Sequence, residues 1–204
     1  MTPDDIEILE RQTVFRGYFR IDRYRLRHRT FAGGWTGDVV LEVFERGHAV
    51  AVLLYDPDLD QVVLIEQFRI GAHAAGRKAW LLEVVAGIIG KDERLEDVAH
   101  RETREETGCS PSDLITIGDY LSSPGGSSES VTLFCARVDA QTAGGIHGLA
   151  HENEDIRTVI MSADQAIAHL DHGELDNSAT IIAIGWLARN RDRVRKEWCH
   201  NAGA

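Results

Sequence analysis

The strongest constraint on this chain lies between Gly87 and Cys109, which reads GIIGKDERLEDVAHRETREETGC. At about 100° per residue, a helix through it aligns Leu95, Val98, Ala99, Glu102, Thr103 and Glu106 along one stripe. That spacing marks a surface turned toward a core. Glu96, Asp97, His100 and Arg104 fall on the opposite side, toward water. The stripe therefore starts apolar and ends in carboxylates. Inward carboxylates crowded together are costly unless something positive neutralises them. A cluster of hard oxygen ligands suits Mg²⁺ or Mn²⁺. Asp92 is the candidate N-cap of this helix, which spans Leu95 to Thr107, and Gly108 is its stop signal.

Size and charge set the outer limits. A chain of 204 residues with 43% apolar content can bury a sizeable core, as one domain or one with a small companion. No run approaches the roughly 20 apolar residues of a membrane span. The opening MTPDDIEILERQ lacks the apolar stretch of a signal peptide. Three cysteines, Cys109, Cys135 and Cys199, lack metal-ligand spacing, so a reducing cytoplasm is expected. A formal net charge of -11 argues against a nucleic-acid partner. It leaves room for a small anionic substrate, because bound divalent metals reverse the local field.

The first stretch of the chain differs in style from the rest. Glu7–Gly17, Phe19–Arg29 and Val39–Phe44 read as three strands, with a turn at Ala32-Gly33-Gly34. The alternation of the second changes phase near Asp22-Arg23, which predicts a bulge there. A sheet this thin packs on another body, either the rest of the chain or a second subunit. From His48 onward the pattern is richer. Ala49–Tyr55 and Gln61–Gln67 form a hairpin across Asp56-Pro57-Asp58, and Trp80–Val85 is a short apolar strand. Leu114–Leu121, Val131–Val138 and Ile156–Met161 are further strands. Gln141 to Asp155 reads as a long loop. Ala163–Leu170 and Asn177–Lys196 complete the set as helices. Strands interleaved with few helices predict an α/β fold, a mixed sheet between helical layers.

The Gly87–Cys109 segment matches the Nudix box, G-x5-E-x7-R-E-U-x-E-E-x-G-U, through Gly87, Glu93, Arg101, Glu102, Glu105, Glu106 and Gly108. Thr103 and Cys109 are less bulky than usual at the two U positions, a departure that touches packing and leaves the ligands intact. The chemistry needs such a set. Cleaving a phosphoanhydride means spreading negative charge over metal ions and activating a water. The resemblance runs over nearly the whole chain, which looks like the bacterial ADP-ribose pyrophosphatase subfamily. It is carried by FERGHAV (from Phe44), VVLIEQFRI (from Val62), WLLEVVAG (from Trp80), SSPGGSSE (from Ser122) and GIHGLAHENEDI (from Gly145). Pro124 stands where that subfamily has its marker proline for ADP-ribose hydrolysis.

That resemblance implies a Nudix α/β/α sandwich over residues 48–204. It also implies a small antiparallel β domain over residues 1–47, swapped across a homodimer. It implies two or three Mg²⁺ ions, with Mn²⁺ as a substitute, held by Glu102, Glu106, Glu154 and the Ala86 carbonyl. Arg101 matches the residue that orients a glutamate through a charge-assisted hydrogen bond, and Glu105 an auxiliary ligand or base. Glu93 matches a structural acidic position. The segment from Gln141 to Asp155 carries His151, Glu152, Glu154 and Asp155 and is mobile enough in composition to close over a substrate. Glu152 matches the general base of relatives.

Substrate contacts carry over as well. Tyr18 matches an aromatic that stacks on adenine, with Phe19 beside it. Glu42 and Arg46 match cross-dimer contacts, and Arg69 a phosphate-binding arginine. Ile88, Ser123, Gly125 and Glu129, with Pro124, match residues along the diphosphate and terminal ribose. Leu41 stands where relatives often carry arginine, which bears on adenine recognition. His28, His48, His73, His100 and His147 form no metal cluster by spacing. The expected activity is Mg²⁺-dependent hydrolysis of ADP-ribose to AMP and ribose 5-phosphate. The alternatives are another nucleotide sugar such as ADP-glucose, or a non-catalytic module that binds nucleotides.

Overall fold

Alternating charged and β-branched residues draw the first part of the chain into extended strands. In the computed structural model, which describes residues 1–149 and 153–200, these are β1 (Ile6–Arg16), β2 (Arg20–His28) and β3 (Val39–Glu45). They form an antiparallel sheet in that order. Opposite charges face each other across it, Arg23 against Glu42 at 2.8 Å and Arg25 against Asp38 at 3.0 Å. β1 carries two bulges, at Leu9 and at Val14, and the second lies opposite Asp22, close to the expected position but with the extra residue on β1 rather than β2. The register steps from Thr13↔Asp22 to Phe15↔Ile21 and leaves Val14 extra. The reason is Asp22, only 2% exposed, which is held by Arg11 at 2.7 Å, Thr13 at 2.8 Å and Arg20 at 3.0 Å. With β2 fixed there and paired without a break to β3, the edge strand absorbs the irregularity.

The chain separates into two units, Met1–His48 with Leu121–Ser130, and Ala49–Tyr120 with Val131–Ala204. The 121–130 loop therefore belongs with the N-terminal sheet, where Phe44 N–H donates to the Gly126 carbonyl at 2.8 Å and Ser128 Oγ donates to Glu45 at 2.6 Å.

The second unit runs β4 (Ala49–Asp56), β5 (Gln61–Phe68), α1 (Ile70–Ala74), β6 (Trp80–Glu83), β7 (Val85–Ile88) and α2 (Leu95–Thr107). It continues with β8 (Leu114–Leu121), β9 (Ser130–Arg137), β10 (Ile146–His147), β11 (Ile156–Ser162), α3 (Ala163–Asp171) and α4 (Ser178–His200). The sheet order is β10-β11-β5-β4-β9-β8, with β6 on β5 and β7 on β4. β4 and β9 are parallel and the other registered pairs antiparallel, so the sheet is mixed. Along β4, Ala51, Leu53 and Tyr55 join the core under α3 and α4, whereas Val50, Val52 and Leu54 join Val98 and Ala99 of α2. The result is the expected α/β/α sandwich. Each fully buried Val, Leu or Ile contributes about 1.5–3 kcal/mol over leaving it in water. The sheet's continuous apolar runs therefore hold α2 in place. Among the described residues, no helix is long and apolar enough to cross a membrane.

Three local features differ from expectation. The Trp80–Val85 strand is two strands: β4 and β5 pair only near their turn, from Leu54↔Val63 to Asp56↔Gln61, and then part. The 80–88 segment enters that split, pairing first with β5 and then with β4, with the change of partner at Val84. The short helix α1 was not expected, and β10 lies inside the stretch read as loop.

Candidate functional site

Helix α2 has the predicted span and ends at Gly108, whose φ of 74° takes the left-handed region that only glycine enters cheaply. Its N-cap is Arg94, in extended conformation and without a side-chain cap, and not Asp92. Asp92 instead forms a left-handed turn at φ 61°. The preceding loop is secured by Glu93, which accepts the Gly90 N–H at 3.0 Å and both Arg101 Nε at 2.9 Å and Nη2 at 3.2 Å. Burial along the helix follows the predicted stripe at Val98, Ala99, Thr103 and Glu106. Thr103 is tolerated in the core because its hydroxyl donates to the Ala99 carbonyl at 2.7 Å.

The glutamates at the end of the stripe are unequally treated. Glu106 is 4% exposed and accepts the Ala86 N–H at 3.2 Å. Burial first, and then the charge of Glu102, push its pKa well above the usual carboxylate range, with Glu154 adding to the shift. Burial also raises Glu102, partly offset by Arg101, whose Nη1 donates to Glu102 at 2.6 Å and to Glu105 at 3.2 Å. Gly87 leaves the space for this carboxylate, since a Cβ there would lie 1.7 Å from Glu102 Oε1. An extended residue turns its N–H and C=O to the same edge. The Ala86 carbonyl therefore shares the edge that faces Glu106. Glu154 is half-buried, its Oε2 accepting the Leu149 N–H at 3.1 Å. Its charge reaches both helix glutamates.

This donor set fits a hard divalent cation. Two buried carboxylates of like charge, one with a single backbone donor and the other with Arg101, keep raised pKa values despite that cation and Arg69. Among the described residues, no three acidic, His or Cys side chains close into a ready ligand cage. The helix thus offers an open oxygen-rich face. Glu152 and His151 lie outside the described residues.

Beside this face is a carboxylate the sequence reading gave no role. Glu83, 2% exposed, accepts Arg69 Nε at 2.9 Å, Gln67 Nε2 at 3.2 Å and Asn177 Nδ2 at 2.8 Å, and pairs with Arg69 Nη2 at 2.8 Å. Arg69 in turn lowers the pKa of Glu106, so its charge reaches the acid face. The signal was legible: one carboxylate inside the apolar run WLLEVVAG must be buried, and a buried charge must be paired.

The other proposed substrate contacts gather in the N-terminal unit, from segments far apart in sequence. Phe19 packs edge-on against Tyr18 at 4.8 Å and against Phe44 at 4.9 Å. Arg46 lies 5.6 Å over the Phe19 ring and pairs with Glu129 at 3.2 Å. Tyr18 is 88% exposed, with most of its ring open beyond the contact with Phe19. Ser123 accepts from Gly126 and Ser127 through its carbonyl, at 3.1 and 2.9 Å, and so forms the turn that carries Pro124 and Gly125. Glu42 is tied to Arg23 and is not part of this cluster. Leu41 is exposed on β3, and Ile88 is exposed at the end of β7 in the second unit.

A mixed-sheet sandwich with a glutamate-ended helix on one face defines a class, and a model of the NUDIX domain matches residues 45–181. The chain belongs to the Nudix family, whose hydrolases generally use divalent metal ions. It is 47% identical over 195 residues to the ADP-ribose pyrophosphatase of Escherichia coli (strain K12), covering 96% of this chain and 93% of that protein. It is 43% identical over 197 residues to the ADP-ribose pyrophosphatase of Haemophilus influenzae, covering 95% and 91%. A GDP-mannose pyrophosphatase of Pectobacterium atrosepticum is 29% identical over 195 residues, covering 90% and 97%. The fold is shared with a solved ADP compounds hydrolase, at a TM-score of 0.70 and 21% identity over 98% of this chain and 96% of that one.

Proposed function

We propose that this protein hydrolyses the diphosphate of ADP-ribose to AMP and ribose 5-phosphate with a divalent cation. The reading is carried by the buried, positively undercompensated glutamate face of α2. The likeness to two ADP-ribose pyrophosphatases over nearly the full chain supports the choice of substrate. Glu102, Glu106, Glu154 and the Ala86 carbonyl would hold two or three Mg²⁺ ions, or Mn²⁺. Such ions supply charge neutralisation at the diphosphate and a more acidic water.

The protein's own groups do the rest. Arg101, held along its Nε and Nη2 edge by Glu93, fixes Glu102 and Glu105 through Nη1, so that Glu102 keeps one orientation above Gly87. Glu152 takes the proton of the attacking water, with Glu105 as an auxiliary acid group. Arg69 binds phosphate oxygens through the edge of its guanidinium not bound by Glu83. The cluster of Tyr18, Phe19, Arg46 and Glu129, with Glu42 and the loop of Ser123, Pro124 and Gly125, recognises the adenosine and terminal ribose, and Ile88 lines the diphosphate. We further assign residues 1–47 as a β domain and 48–204 as the hydrolase domain, in a homodimer located in the cytoplasm. Sedimentation at twice 22.7 kDa is the expected result for the dimer.

The test is a substrate panel with and without Mg²⁺: ADP-ribose, ADP-glucose, GDP-mannose and a reduced dinucleotide. ADP-ribose should be cleaved best, and chelation should abolish turnover. Efficient cleavage of a different member with ADP-ribose left intact would overturn the substrate assignment.

A further inference from the structure

We propose that Glu83 is a positioning residue that presents Arg69 to the diphosphate of the substrate. The proposal rests on the diphosphatase reading above. Glu83 Oε2 accepts one N–H from Arg69 Nε and one from Gln67 and forms an ion-pair contact with Arg69 Nη2 at 2.8 Å, while Oε1 accepts from Asn177. Asn177 is itself held, its Oδ1 accepting from Thr180 N–H at 3.1 Å and from Thr180 Oγ1 at 3.2 Å. Thr180 Oγ1 accepts the N–H of Val84, next to Glu83 in the chain, at 3.0 Å. The carboxylate is thus locked from the strand side and from the start of α4.

The consequence falls on the guanidinium. Glu83 grips Arg69 along its Nε and Nη2 edge, which fixes the plane of the fork and leaves Nη1 outward. Arg69 is 42% exposed while Glu83 is 2% exposed, so the pair has one dry side and one side open to a ligand. The charge of Arg69 lowers the pKa of Glu106, against the larger effect of burial. An arginine with all its rotamers available would lose entropy on binding a phosphate, whereas one already held loses less. Displacing a positioning group by an ångström can cost about 10²-fold in rate.

The experiment is a double-mutant cycle in the full-length protein with Mg²⁺. Glu83→Gln keeps the shape but removes the charge and sets an amide against three donor side chains. It should lower kcat/KM for ADP-ribose by about tenfold or more. In the Arg69→Ala background, the same change should have less than a twofold effect, because Glu83 acts through Arg69. Methylguanidinium added to Arg69→Ala should restore activity, and this rescue should vanish in the double variant. A purely structural role would not move the rescue.

An unchanged kcat/KM in Glu83→Gln, or equal losses in both backgrounds, would overturn the proposal. If Glu83→Gln does not fold, Asn177→Ser removes the donor to Oε1 and retains a helix cap. It should give the same pattern at about threefold, and its absence counts equally against the idea. Calorimetric binding of the α,β-methylene analogue of ADP-ribose separates this proposal from the activity itself. Weakening by Glu83→Gln only when Arg69 is present supports positioning even in a protein that does not turn over ADP-ribose. A wild-type protein that neither cleaves ADP-ribose nor binds the analogue would overturn both.

Discussion

Two carboxylates in the second unit are almost equally hidden from water, Glu83 at 2% and Glu106 at 4% exposure, and they are treated in opposite ways. Glu83 receives three hydrogen bonds from three side chains, one of them a cation whose Nη2 also lies 2.8 Å away. Glu106 receives one backbone N–H and sits within reach of the charges of Glu102 and Glu154. Burial depth therefore does not distinguish the two. The balance of donors against like charges does. A buried carboxylate with a full set of donors is stabilised within the fold, and one with few donors beside like charges is not.

The contrast can be broken most easily at its active end. Glu106→Gln should lower hydrolysis by about 10²–10³-fold, measured as kcat/KM with saturating Mg²⁺. A loss of less than tenfold would mean that Glu106 is not a principal ligand. Next in size, Glu83→Ala should destabilise the fold by about 2–3 kcal/mol, since it strands the donors of Gln67, Arg69 and Asn177. Urea denaturation would read this as a lower midpoint.

The smallest effect sharpens the comparison by its sign. In the metal-free protein, Glu106→Gln should raise stability, on the order of 1 kcal/mol near neutral pH, by removing an uncompensated buried charge. The pH dependence follows from the raised pKa. A carboxyl that binds its proton more tightly when folded makes the fold less stable as pH rises, from about 4.3 upward through the elevated folded value. Denaturant midpoints of the metal-free wild type should fall across that window, and those of Glu106→Gln should fall less. Asp60, whose pKa is lowered chiefly by the hydrogen bond from Arg191, acts in the opposite direction: its contribution is lost as pH falls through its folded value. Mg²⁺ should flatten the wild-type decline.

Much of this was legible before any coordinates. The span of α2, its inward stripe and its glycine stop are properties of local periodicity and one backbone conformation, which a sequence carries directly. What escaped depended on distant partners. The division of the 80–88 segment into β6 and β7 follows from the divergence of β4 and β5, and no residue within the segment announces it. The extra residue opposite Asp22 is on β1 because Asp22 is anchored from across the sheet by Arg11 and Thr13. Asp92 has the right chemistry for a cap, yet the loop is secured by Glu93 through Arg101 in the middle of the helix. Glu83 was visible as an anomaly in an apolar run, but its partners, Arg69 and Asn177, lie on other elements. The Phe19, Arg46 and Glu129 cluster was likewise assembled from three separate segments.

Gly87 carries a consequence for how such a protein could change under selection. Its backbone is ordinary extended strand, where glycine is weaker than alanine by roughly 0.5–1 kcal/mol. A screen that rewards heat resistance would thus favour filling the position. The methyl group of alanine would occupy the space of Glu102 from Oε1 to Cγ, so that side chain would have to leave its place beside Arg101. Variants gathered for robustness alone would then accumulate intact, well-folded molecules with a misplaced carboxylate. The missing side chain at Gly87 is a vacancy that only selection on turnover maintains.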